Sequence, residues 1–333
     1  MKSLLTLTLL LLASVCNGQT RGWHSPLLPL IAGDSYEVQV FNEAIKKINA
    51  SAFEEAIAVL DDAIFYFREQ STLLAYTYAM RGDVYNRLGR SMGDAGVVHQ
   101  EKGLQDCSLS IRIDSTNRYG VGLKGKVLID MGRYAEAIYY LDKDIELGTN
   151  TLDAESYDSY VNRGFAKRRL GKKKEAFEDY TVAITIAPEK YLAYKNRAAL
   201  NVDMGDDDSA LVDCEKALEL DPMDFDLYLT RGGIRQRRKD YDGSIRDFSR
   251  IIAIDSTLVE PFYWRGISNY NLRKDSAAIE DFTKVINLDS LSTNCAGAFF
   301  YRGILNVNIG NTDDGLRDYN RAVELDPSFE LKD

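Results

Sequence analysis

Apolar, small and polar positions along this chain fall into short helical runs that return at a near-constant interval. The stretch Tyr194 to Pro222, YKNRAALNVDMGDDDSALVDCEKALELDP, shows one period. Ala198 sits in the middle of a first helical run and Gly205 breaks that run. Ala210 begins a second run, Ala217 lies two turns further on, and Asp-Pro closes the unit. No unit of this size buries its own apolar face, so the pattern predicts helical hairpins that stack on their neighbours into a continuous core.

The first small residue recurs as Ala44, Gly82, Gly125, Gly164, Ala198, Gly232, Gly266 and Gly303, at intervals of 38, 43, 39, 34, 34, 34 and 37 residues. The small residue opening the second run recurs as Ala56, Gly103, Ala137, Ala176, Ala210, Ser244, Ala278 and Gly315. Small side chains at both places let two antiparallel helices approach closely; a bulky one would cost typically about 1–3 kcal/mol. Gly89, Gly132, Gly171, Gly205 and Gly310 are expected to end the first helices as left-handed caps. Pro188, Pro222 and Pro327 close the second helices, and Ser115, Ser256 and Ser290 take that place elsewhere, after an aspartate, where they can cap the next element. The units run over about 37–70, 75–115, 118–149, 157–188, 191–222, 225–256, 259–290 and 296–327. The second carries about nine extra residues in RSMGDAGVVHQEKG, which either lengthen its helices or form a protruding loop, and the third has a longer exit, GTNTLDAESYDS.

A helix–turn–helix of 34 residues with these small residues, aromatics and closing proline resembles the tetratricopeptide repeat, over about residues 37–327. The resemblance implies an all-α, right-handed superhelical solenoid of about eight repeats. It also implies a non-catalytic protein–protein interaction scaffold that takes up peptide or protein segments along a concave groove lined by first helices. An alternative is a structural subunit of a cell-envelope complex, docking through its convex face or its C-terminal end. No capping helix follows Pro327 in this sequence, so Leu316, Tyr319 and Val323 are expected to be partly uncovered, a surface for self-association or docking.

Arginine precedes the first small residue at Arg81, Arg163, Arg231, Arg265 and Arg302, and aspartate recurs in the second helix at Asp106, Asp179, Asp213, Asp247, Asp281 and Asp318. Their co-occurrence suggests a bidentate ion pair that fixes how the two helices of a unit seat. The alternative is a pair of solvated charges worth under about 1 kcal/mol. In the third unit Lys124 and Tyr140 replace both partners together.

Composition narrows the partner class. With 45% hydrophobic residues, 28% charged residues and 6 prolines among 333 residues, the chain is neither disordered nor fibrous. A net charge of -10 argues against nucleic acid and anionic membranes, which require clustered basic residues. Lys2 followed by the apolar stretch Leu4 to Ala13 reads as a signal peptide over residues 1–18, cleaved after Gly18, so the chain is expected to be exported, periplasmic or secreted. Lipid attachment at Cys16 is the less favoured reading, because Val15 and Ala13 stand where a small residue and a leucine belong. Residues 19–36 form an apolar lead-in with Trp23, Leu27, Leu28, Leu30 and Ile31, expected to pack on the first repeat or along the groove. Cys107 and Cys214 occupy a repeat slot filled elsewhere by Tyr180, Phe248, Phe282 and Tyr319, so they read as buried hydrophobes rather than disulfide partners.

No cofactor, metal or catalytic set emerges. GVGLKGK at Gly120–Lys126 matches nucleotide-binding patterns by letters alone: Val127 follows where a Ser or Thr is needed, and the stretch lies inside a first helix. Asp206, Asp207 and Asp208 lack the frame of a calcium loop. His24 and His99 are too far apart to suggest zinc or a triad. The resemblance places Asp158, Arg168, Arg169, Lys195, Asp226 and Arg237 on the groove of units four to six. In units seven and eight it places Tyr263, Ile267, Tyr270, Phe300, Ile304 and Val307 there. A charged floor beside an aromatic patch suits a peptide with a hydrophobic anchor and acidic flanks. Packing of Tyr263, Tyr270 and Phe300 against neighbouring units is the equal alternative. The lysine–asparagine clamp of some relatives is missing, since Ala199 stands four residues after Lys195.

Overall fold

The computed structural model describes residues 36–148, 154–289 and 293–330. The expected leader and lead-in lie outside the described residues, except for Tyr36, which opens the first helix, and Ser290 lies outside them too. Among the described residues the fold is all-α, sixteen helices without strands, arranged as consecutive antiparallel hairpins. The chain divides into two compact units, one ending at Pro188 and the other beginning at Glu189.

In the first unit α1 (Tyr36–Asn49) pairs with α2 (Phe53–Tyr66), and α3 (Ser71–Ser91) with α4 (Val97–Ile113). Then α5 (Arg118–Asp130) pairs with α6 (Tyr134–Leu147), and α7 (Tyr157–Arg169) with α8 (Lys173–Ile186). In the second unit the pairs are α9 (Tyr191–Met204) with α10 (Asp207–Leu220) and α11 (Phe225–Arg237) with α12 (Tyr241–Ile254). They are followed by α13 (Val259–Asn271) with α14 (Asp275–Leu288) and α15 (Thr293–Asn308) with α16 (Thr312–Leu325).

Close helix crossing explains the small residues. A methyl group at Gly164 would sit 2.7 Å from the Tyr180 ring, at Gly266 2.8 Å from Phe282, at Gly232 3.0 Å from Phe248, and at Gly125 2.7 Å from Leu141. The second-helix side chain thus lies directly on the backbone of the first helix. Within each unit, a hairpin then covers its predecessor. Met80 and Val84 of α3 join Phe41, Leu60 and Phe67 in one core, and Ala298 and Leu305 of α15 join Phe282 and Val285 in another. Cys107, Cys214 and Cys295 are free thiols buried in this packing; burial pushes the Cys214 thiol up to about 12, so it behaves as a small hydrophobe.

The arginine and aspartate slots form a bidentate fork in six hairpins, joining Arg81–Asp106, Arg163–Asp179, Arg197–Asp213, Arg231–Asp247, Arg265–Asp281 and Arg302–Asp318. In the third hairpin Lys124 Nζ lies 4.3 Å from the centre of the Tyr140 ring, a cation–π contact in place of the ion pair. Two further slots complete the fork. A donor three residues after the small residue supports the same carboxylate: Lys167, Asn201, Arg235, Asn269 and Asn306. The remaining guanidinium nitrogen, Nη1, reaches the second helix of the preceding hairpin, at Asp61 from Arg81, Asp142 from Arg163, Ser249 from Arg265 and Thr283 from Arg302. One side chain therefore fastens both its own hairpin and the stack.

Turn chemistry follows the glycines at four places and departs from expectation elsewhere. Gly132, Gly171, Gly205 and Gly310 take positive φ, and the same slot is held at positive φ by Ser51, Lys239 and Arg273. Gly89 does not end its helix: α3 runs on to Ser91, and positive φ falls at Gly93. The nine extra residues lengthen α3 and α4 and close them with a 3-10 turn over Gly93–Gly96. That closure requires Gly89 against Gly96, because a side chain at Gly96 would run into the Gly89 backbone. Between hairpins it is aspartate rather than the following serine that shapes the turn. Asp114, Asp221, Asp255 and Asp326 each accept the backbone N–H two residues on.

Candidate functional site

First helices lie side by side within the first unit: α3 packs on α5, and α5 touches α7. Positions left over from hairpin packing carry a dense set of charges there. The Asp83 carboxylate accepts from Arg87 Nε at 2.8 Å and lies 3.7 Å from Lys126 Nζ. Asn86 Nδ2 donates to Asp130 Oδ2 at 2.7 Å, and Arg90 Nε stands 3.9 Å from that carboxylate. Asn86 is buried, and its Oδ1 has no hydrogen-bond partner. Lys126 is buried as well, and burial lowers its pKa against the opposing pull of Asp83. Arg90 is half-exposed. On α7, Arg168 is half-buried and Arg169 is exposed, its guanidinium 5.4 Å from the Tyr134 ring centre.

Asp83, Asn86 and Arg87 lie one, four and five places beyond Gly82, and Lys126 and Asp130 one and five beyond Gly125, the spacings at which Arg168 and Arg169 follow Gly164 and Ile267 and Tyr270 follow Gly266. Carrying those spacings into the second and third hairpins finds them from sequence. Inside α5, the glycines of GVGLKGK serve packing. A side chain at Gly120 would meet Ser110 and one at Gly125 would meet Leu141, so the stretch is a helix interior rather than a phosphate-binding loop.

In the second unit the proposed groove residues are largely engaged. Lys195 Nζ donates to Asp224 Oδ2 and Asp226 Oδ2, both at 2.7 Å, so it ties α9 to the start of α11 instead of remaining available. Arg237 pairs with Asp207 at 2.6 Å and Arg238 with Asp208 at 2.6 Å, while Asp206 caps α10 by accepting from Ser209 N–H. All three carboxylates of the acidic run thus have protein partners. Tyr263 packs among Phe262, Phe282 and Gly297, and burial pushes its hydroxyl up to about 12. Tyr270 stands 5.2 Å from Tyr301, centre to centre. Phe300 is flanked by Tyr301, Tyr319 and, at 4.8 Å, Phe329 of the 3-10 turn Pro327–Phe329. Ile304 is half-buried. Among the described residues no cluster of three or more His, Cys, Asp or Glu is placed to hold a metal ion.

Paired helices, glycine-spaced crossings and stacked neighbours define a tandem array of helical hairpins. The tetratricopeptide repeat family model matches residues 157–190, the α7–α8 hairpin, and the fold is that of a tetratricopeptide-repeat array. It is similar to the C-terminal part of a TPR repeat-containing protein from Cytophaga hutchinsonii, at 12% identity over 74% of this chain and 95% of that one, with a TM-score of 0.60. It is also similar to human IFIT1, solved as a dimer with m7Gppp-AAAA, at 16% identity over 90% of this chain and 74% of that one, with a TM-score of 0.57. YrrB, described as a TPR protein with an unusual peptide-binding site, aligns at 18% identity over 58% and 96%, with a TM-score of 0.49. At these identities the likeness is one of fold. No curated protein matches the chain.

Proposed function

We propose that this protein is a non-catalytic scaffold that binds a segment of another protein along the first-helix face of α3, α5 and α7. One observation carries this reading: the repeated slots are consumed by packing and ion pairing, whereas the positions between them on these helices hold Arg87, Arg90, Lys126, Arg168 and Arg169 against Asp83, Asp130 and Asp158. The excess of cations on a chain of net charge -10 suits an acidic protein segment with polar and charge-assisted contacts. The leader pattern of residues 1–18 supports a partner met after export. Exposed Phe65 on α2 and Tyr139 on α6 favour a second reading, a structural subunit held through its second helices.

Immobilised protein exposed to envelope extract separates the two. Arg90→Glu with Arg169→Glu should abolish capture of the main bound protein, while Phe65→Ser with Tyr139→Ser leaves it intact. The reverse pattern selects the structural reading, and capture indifferent to both pairs defeats both.

A further inference from the structure

The net charge of -10 weighs against an anionic surface as a partner, but the charge is unevenly spread along the chain. Residues 167–175, KRRLGKKKE, hold six cations and one carboxylate at the turn between α7 and α8. Lys167 is drawn inward to Asp179, at 2.9 Å, while Arg169, Lys172 and Lys174 are exposed. Leu170, between them, is 44% exposed. The turn between α11 and α12 is also rich in arginine, yet there Arg237 and Arg238 are paired with Asp207 and Asp208.

Two neighbouring turns of the same unit share this edge. First helices run parallel here: Arg90, near the end of α3, stands 3.9 Å from Asp130 at the end of α5, and Arg169, at the end of α7, lies over Tyr134 at the start of α6. Arg133 of the α5–α6 turn stands 4.0 Å from Glu101, near the start of α4. The α3–α4 hairpin projects past the other two. α3 runs nine places beyond its small residue Gly82, whereas α5 and α7 stop five places beyond Gly125 and Gly164. Four more helical residues carry its tip about 6 Å further out. That tip presents Met92, Val97 and Val98, exposed at 46%, 50% and 65%, and the 3-10 turn closed over Gly89 holds them in place.

We infer that this edge of the first unit seats on the surface of an anionic phospholipid bilayer, the aliphatic tip entering the headgroup layer and the basic turn lying over lipid phosphates. Charge and apolarity together select the partner. Lipid phosphates attract clustered lysine and arginine, and the boundary between headgroups and acyl chains accepts aliphatic side chains without a shaped pocket. Nucleic acid answers the cations but not the tip, whose aliphatic side chains offer bases no ring to stack on. An acidic protein surface would have to bring an apolar pocket matched to Met92, Val97 and Val98. This inference goes beyond the proposed segment binding, which concerns the faces of α3, α5 and α7 rather than the turns.

Co-sedimentation of the full chain with phosphatidylcholine vesicles, with and without about one third phosphatidylglycerol, tests it. The expected result is binding to the anionic vesicles alone, weakened by salt. Lys172→Glu with Lys174→Glu should lower the affinity at least about tenfold. Val98→Ser with Leu170→Ser should lower it several-fold with the charge unchanged. Arg250→Glu with Lys284→Glu, both exposed on the second unit, alters the net charge equally and should change binding less than about twofold. No binding to anionic vesicles, equal binding to neutral ones, indifference to either edge variant, or an equal loss in the second-unit variant each overturn it. So does a chain that binds polyglutamate or duplex DNA and leaves the vesicles alone. Arg90 and Arg169 are unchanged in these variants, so segment capture and vesicle binding fail separately.

Discussion

Arg265 and Asp281, sixteen residues apart, meet through a fork in which Nη2 donates to Oδ1 at 2.6 Å and Nε to Oδ2 at 3.1 Å. The aspartate is buried, and desolvation holds its pKa above the usual carboxylate range despite the arginine. Removing the cation alone therefore leaves a buried charge supported only by Asn269, and frees Ser249 of the preceding hairpin from its tie. Arg265→Met should cost about 2–4 kcal/mol, discounted from a fully buried pair because the guanidinium is partly exposed. Arg265→Met with Asp281→Leu should recover most of that loss. Thermal midpoints of the two variants against the parent check it, and equal destabilisation by single and double variants would contradict the account.

Neighbouring glycines make opposite forecasts. A methyl at Gly266 meets the Phe282 ring at 2.8 Å, whereas nothing lies within 4 Å of one at Gly233 on α11. Gly266→Ala should destabilise by about 1–3 kcal/mol through forced repacking. Gly233→Ala should stabilise by roughly 0.5–1 kcal/mol, since alanine loses less backbone freedom in a helix. Urea unfolding of both variants decides it, with a shift of the same sign in the two counting against the packing argument.

Lys126 gives a pH-dependent test. Its folded-state pKa lies below the ordinary 10.5, so between those two values the unfolded chain holds the proton more tightly and stability rises with pH. Asp83 and Arg87 of α3 and Asp130 of its own helix are the charges closest to this balance, with Arg90 beyond. Lys126→Met leaves Asp83 paired with Arg87, so at neutral pH the variant should melt within about 2 °C of the parent or above it. Raising the pH toward 10 should then favour the parent relative to the variant. A difference in melting temperature that is flat with pH would show that Lys126 keeps its proton as tightly folded as unfolded.

Much of the architecture is legible in the sequence because its determinants are local. Gly164 must be small for Tyr180 to lie on it, and Arg163 must stand sixteen residues before Asp179 to reach it, so a small residue recurs in all eight hairpins and the ion pair in six, at readable intervals. Third-hairpin Lys124 and Tyr140 could be paired from their joint replacement alone. The supporting donors such as Asn201 and Asn269, and the ties to Asp142 and Ser249, were present in the same periodic frame but vary in residue type, which hid them.

The hairpin, its repeat and its all-α class follow from the residue pattern, since close approach of two adjoining helices restricts which side chains fit. Which of the remaining side chains are spent depends on what packs over them. Lys195 is held by Asp224 and Asp226 some thirty residues on, Tyr263 and Phe300 are enclosed by the hairpins around them, and Gly89 stays helical because Gly96 closes over it. Val307 and Leu316 occupy the same register as Tyr270 and Ile279 yet lie open. Exposure depends on what a neighbouring hairpin covers, and that is a property of the stack rather than of any one repeat.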